Sequence, residues 1–114
     1  MPGKCPKVPH RLCAVAYDEP DCDKEDWTIP LDIPETNELD LGFFSDFRES
    51  IESVSVRAGC TLDMHDEGDL SKSSNWATVT APATTDLHLN LAKSKDKNIR
   101  DLEDDIESLK CTCP

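Results

Sequence analysis

A chain of 114 residues with 24 acidic against 12 basic side chains, net charge −12, lacks the basic surface that nucleic acid and anionic membranes attract, so neither is an expected partner. No apolar run approaches the ~18 residues of a membrane helix, so no membrane insertion is expected. Hydrophobic residues make up 37% and aromatics 5%, which allows a thin core that needs covalent help.

That help is visible. Cys5, Cys13, Cys22, Cys60, Cys111 and Cys113 are even in number and span the chain. They form no CxxC pair, so a disulfide framework in an oxidising, secreted setting is preferred over zinc. Spacing does not choose among the pairings. A bridge joining the two ends, from Cys5 to Cys111 or Cys113, is the expectation. Met1-Pro2-Gly3-Lys4 directly before Cys5 reads as a mature secreted chain with an added start methionine.

In chain order, Ala14-Val15-Ala16-Tyr17 is a short strand ending in an Asp18-Glu19-Pro20-Asp21 turn. Trp27-Thr28-Ile29 has strand composition, and Pro30 and Pro34 interrupt the segment after it. Ser53-Val54-Ser55-Val56-Arg57 alternates with period two and ends at Ala58-Gly59. Leu62-Asp63-Met64-His65 then runs into Asp66-Glu67-Gly68-Asp69, and Trp76-Ala77-Thr78-Val79-Thr80 is a further strand. Residues 84–98 are polar and read as an exposed stretch. Ile99, Leu102, Ile106 and Leu109 fall at helical spacing. A short helical turn over 98–104, capped by Asn98, is expected to lead into a last strand.

The chain also repeats itself. Tyr17-Asp18-Glu19-Pro20-Asp21-Cys22-Asp23-Lys24 aligns with His65-Asp66-Glu67-Gly68-Asp69-Leu70-Ser71-Lys72, and a tryptophan comes after each. Later, Ser50-Ile51-Glu52-Ser53-Val54 aligns with Asp105-Ile106-Glu107-Ser108-Leu109. Two matches in the same order indicate two related halves, 12–59 and 60–113, within one domain spanning 1–114. Short strands at this spacing predict an all-β antiparallel sandwich.

These elements resemble the βγ-crystallin superfamily, whose domains pair two Greek-key motifs. Each motif opens on an aromatic-led hairpin and closes on an acidic calcium signature before its last strand. Here the hairpins are the two segments from Tyr17 and His65. The signatures are Arg48-Glu49-Ser50-Ile51-Glu52-Ser53 and Glu103-Asp104-Asp105-Ile106-Glu107-Ser108. Lys24 and Lys72 depart from the family's hairpin glycine, Cys22 and Leu70 from its aromatic, and Glu52 and Glu107 from its hydroxyl residue. The resemblance implies Ca²⁺ as cofactor, each site being shared between halves. Backbone carbonyls would come from Asp18, Asp66, Ser50 and Asp105. Side-chain oxygens would come from Glu49, Asp104, Glu52 and Glu107. These are hard oxygen donors of the kind Ca²⁺ takes. Arg48 opposes a cation nearby, so the second signature is the richer in ligands.

His10, His65 and His88 fall in no nucleophile or metal motif, and no enzyme is expected. Two roles remain: a secreted calcium-binding protein with a structural or extracellular role, or a secreted toxin-like or inhibitor-like protein on the same scaffold. In the second, an extracellular protein partner would meet the Cys5 segment or the 84–98 stretch.

Overall fold

The computed structural model describes residues 5–22, 30–41, 47, 49–70 and 74–114. Among them, eight strands form two antiparallel four-stranded sheets. In chain order they are β1 (Ala14–Tyr17), β2 (Leu31–Ile33), β3 (Thr36–Asp40), β4 (Ser53–Val56), β5 (Thr61–His65), β6 (Trp76–Thr80), β7 (Leu87–Asn90) and β8 (Ser108–Thr112). One sheet runs β2-β1-β4-β7 and the other β3-β8-β5-β6. Each sheet therefore holds three strands of one half and one of the other. β3 leaves the first half to pair with β8, and β7 leaves the second half to pair with β4.

Strand alternation explains the core. Ala14 and Ala16 point between the sheets and join Val54, Val56, Leu62, Met64 and Leu109, all fully buried. Val15 and Tyr17 point the other way, yet they are buried too, because Val8 and Leu12 cover them in a second, smaller cluster. All four residues of β1 are thus inaccessible. Ser53 and Ser55 of β4 are likewise buried on the face away from the main core. The edge strand β6 keeps its alternation, with Ala77 and Val79 in and Trp76, Thr78 and Thr80 out.

The six cysteines pair as Cys5–Cys22, Cys13–Cys111 and Cys60–Cys113. The expected bridge from Cys5 to Cys111 or Cys113 does not form: Cys5 reaches only Cys22 in the first hairpin, and Cys111 and Cys113 pair with Cys13 and Cys60. Cys13–Cys111 links the approach to β1 in one sheet to β8 in the other, 98 residues away.

Several local expectations shift. The stretch 84–98 is not simply a polar loop, since Leu87–Asn90 is a strand and Leu91–Lys93 a 3₁₀ turn. β2 and β3 occupy the proline-interrupted segment. The helix is one turn, Lys97–Arg100, capped by Asp96 rather than Asn98: the Asp96 side chain accepts the Asn98 backbone N–H. Aspartate one residue before the helix reaches the N–H two residues on, one of those that the first turn leaves unpaired. Ile99, Leu102 and Ile106 are buried as their spacing implies, but the chain is in turns by 101–105. The Trp27-Thr28-Ile29 strand and residues Lys24, Arg48 and Lys72 lie outside the described residues.

Candidate metal centre

The two halves build the same local device twice. In the first, the Ser53 hydroxyl donates to the Glu19 carbonyl (2.6 Å) and accepts the Cys22 N–H (3.1 Å). In the second, Ser108 donates to the Glu67 carbonyl (2.6 Å) and accepts the Leu70 N–H (3.0 Å). Each hairpin is thereby folded over its own closing strand by a fully buried serine. Cys22 and Leu70 both sit at positive φ, 62° and 58°. This is a conformation that costs an L-residue roughly 1–2 kcal/mol.

The signature loops cross between halves. Asp104 N–H donates to the Ile51 carbonyl and Glu49 N–H to the Ile106 carbonyl, both at 3.1 Å. Glu49 and Asp104 are again equivalent, with φ of 59° and 61°. Meanwhile Glu52 N–H donates to the Tyr17 carbonyl (2.9 Å) and Glu107 N–H to the His65 carbonyl (2.8 Å). These pairings sort the acidic residues into two places. One gathers the Asp18-Glu19 corner, Glu52, and Glu103-Asp104 from the other half. Its counterpart gathers the Asp66-Glu67 corner, Glu107 and Glu49. Ser50 and Asp105 occupy matching turns, their N–H groups bound to the carbonyls of Phe47 and Leu102. Because the loops cross, the acid-rich second signature stands beside the first hairpin.

Electrostatics mark the first of these places. Glu52 is pushed up to about 7, chiefly by desolvation, then by the negative charges of Asp104 and Glu103, a hydrogen bond with Glu103, and Glu19. Asp104 is raised by burial and by Glu103 and Asp105. Two carboxylates held this close favour sharing a proton over both being charged, which is the condition a cation relieves. Asp18 Oδ1 and Asp66 Oδ1, at equivalent corners, are buried with no hydrogen-bond partner. An unpaired buried oxygen in both halves is a second sign of an electron-poor guest.

The donor set fits Ca²⁺, being carboxylates and carbonyls throughout. Spacing is the other half of the test. Among the described residues, groups of three metal-ligating side-chain atoms within 4.8 Å of one another are built on cysteines, Cys5-Cys22-His88 and Cys13-Cys60-Cys113, not on carboxylates. Every one of those cysteines is in a disulfide. The acidic side chains would have to rotate inward around an ion, with backbone carbonyls completing the shell.

Sequence patterning does not single out Ser53 and Ser108 as site-builders, although the aligned Glu-Ser pairs contain them. His65 does fill the aromatic position: it is 3% exposed and stacks on Trp76 with ring centroids 6.0 Å apart and an interplanar angle of 13°.

No protein-family profile matches the chain, and no curated protein does. Solved structures do. One, described as bearing on the evolution of the eye lens βγ-crystallin domain fold, shares a TM-score of 0.71 at 12% identity over 97% of this chain and 95% of that one. The βγ-crystallin from Ciona intestinalis gives 0.60 at 15% identity, covering 87% and 98%. The N-terminal domain of Protein S gives 0.62 at 12% identity, covering 89% and 96%. The architecture defines a double Greek-key sandwich with exchanged strands. This chain has the βγ-crystallin fold.

Proposed function

We propose that the protein is a non-enzymatic, secreted calcium-binding βγ-crystallin-like protein whose ions lock the hairpins to the crossed signature loops. The observation that carries this reading is the raised Glu52 beside Glu103, Asp104 and Glu19; around Glu107 and Glu49 it is the backbone pairing that repeats. Desolvated, mutually repelling carboxylates that the backbone forces together are destabilising alone and stabilising around a divalent cation. The orphaned oxygens of Asp18 and Asp66 support it, and pairing of all six cysteines supports an oxidising, extracellular setting.

The test is thermal melting with chelator and with millimolar Ca²⁺, alongside calorimetric titration. Calcium at about 100 times its Kd adds about 2.7 kcal/mol per site, a rise in Tm on the order of 10 °C per site for a chain this size. Glu52→Gln with Asp104→Asn should remove about half of the combined rise, the other place still responding. An unchanged Tm in wild type at millimolar Ca²⁺ sinks the reading.

A further inference from the structure

A cavity lies outside the acidic loops. It measures about 570 Å³, within the ~300–1,000 Å³ usual for small-molecule sites. Its walls come from the N-terminal segment (Lys7, Val8, His10), the turn after β4 (Arg57, Ala58), the approach to β7 (Ala83–Asp86) and His88 of β7 itself. Across the whole chain acidic side chains outnumber basic ones two to one. Here, among the described residues, the ratio is reversed: Lys7 and Arg57 line the cavity with a single carboxylate, Asp86, and two of the chain's three histidines join them.

The cavity is framed by specific contacts. Both Asp86 oxygens accept backbone N–H groups, Oδ2 from Val8 (2.8 Å) and Oδ1 from Ala58 (2.9 Å). Asp86 therefore ties two of the walls together, with both of its oxygens engaged. Arg57 Nε donates to the Leu12 carbonyl (2.7 Å), which fixes the guanidinium. Its Nη1 lies 3.3 Å from His10 Nδ1. Guanidinium only donates, so Nδ1 accepts, and the ring's proton sits on Nε2 as a donor. The His88 ring is held in place by a hydrogen bond between its Nδ1 and the Ser55 hydroxyl, 2.7 Å apart. A guanidinium, an ammonium and two oriented imidazoles around a ligand-sized concavity form a recognition set for oxyanions.

We propose that this groove binds a small organic anion bearing a phosphate or carboxylate group, with Arg57 and Lys7 meeting the charge and His10 and His88 donating to its oxygens. The site is independent of calcium. It rests on the N-terminal segment, which lies outside the two repeated halves.

Calorimetric titration of the full chain at low ionic strength, with chelator present, tests this using glucose 6-phosphate and succinate as probes. NMR of the histidine rings locates the response. Saturable binding with shifts of His10 and His88 signals is expected, weakened about tenfold in the Lys7→Gln/His10→Gln double variant. Both residues are exposed, so that variant keeps its Tm. Response to the first probe alone assigns the phosphate class, and to the second alone the carboxylate class. No saturable response to either probe at about 10 mM, the weak end of specific affinity, overturns the proposal. So does binding unchanged in the double variant. Glu52→Gln leaves this binding intact, so loss of calcium binding and loss of anion binding are read separately.

Discussion

At the scale of single residues, Ser53 and Ser108 each satisfy two backbone groups of the hairpin folded over them. Replacing either by alanine leaves a carbonyl and an N–H without that partner at a fully buried position, which costs about 1–3 kcal/mol. Ser53→Ala and Ser108→Ala are expected to lower denaturant midpoints by similar amounts, because their surroundings are equivalent. Glu52 sets a pH dependence whose sign comes from its direction. Its folded value, about 7, lies above its ordinary 4.5. The folded state therefore prefers the protonated form, and this contribution is fully present below about pH 4.5. It is lost as pH rises through 7. In chelator, melting should show stability falling across that window, and Glu52→Gln should flatten the fall. Calcium should raise Tm more at pH 7.5 than at pH 5, where protons occupy the same oxygens. The Glu-Ser pairs at 52–53 and 107–108 are legible in the sequence as a repeat. Their division of labour is not, because which atom faces a carbonyl and which an ion depends on backbone placement.

At the scale of elements, the strands that show in the sequence are β4, β5 and β6, which have a regular period with one face in the main core, and β1, a short apolar run ending in a turn. β2 has three residues between prolines, and β3 is an edge strand whose residues are all partly or fully exposed. Neither has enough buried alternation to stand out. β7 does carry a signal, Leu87, Leu89 and Leu91 at period two, diluted by polar neighbours. In the sequence the N-terminal segment reads as an appendage. In the fold it covers Val15 and Tyr17, and it explains why β1 is apolar on both faces. Leu12 is 5% exposed in that cover, and Leu12→Ala should cost roughly 2–4 kcal/mol by chemical denaturation. A far smaller loss would show that the cover adds little to the fold.

At the scale of the whole molecule, the exchange of β3 and β7 between halves is not locally readable, since hydrophobic period fixes a strand's face and not its partner. The repeat and the acidic signatures do indicate the sandwich. Cys13–Cys111 closes a 98-residue separation across the two sheets, where loop-closure entropy is worth about 4–5 kcal/mol. Cys13→Ala/Cys111→Ala should lose roughly 2–5 kcal/mol while Cys60–Cys113 still holds the C-terminal end.

The position of β8 also bears on synthesis. β3 and β5 both hydrogen-bond to it, and Cys13 waits for Cys111 beside them. As the chain emerges from the ribosome, the residues through β8 must be out before this sheet can close. Until then Cys5, Cys13, Cys22 and Cys60 coexist, in the oxidising compartment that the proposed function implies, without two of their final partners. Early oxidation can pair Cys13 with Cys22 or Cys60, and such a bond must be exchanged later. Maturation in the cell is thus expected to depend on a disulfide isomerase, and pulse-chase trapping of thiols should show a Cys13-containing intermediate that disappears only once Cys111 has emerged.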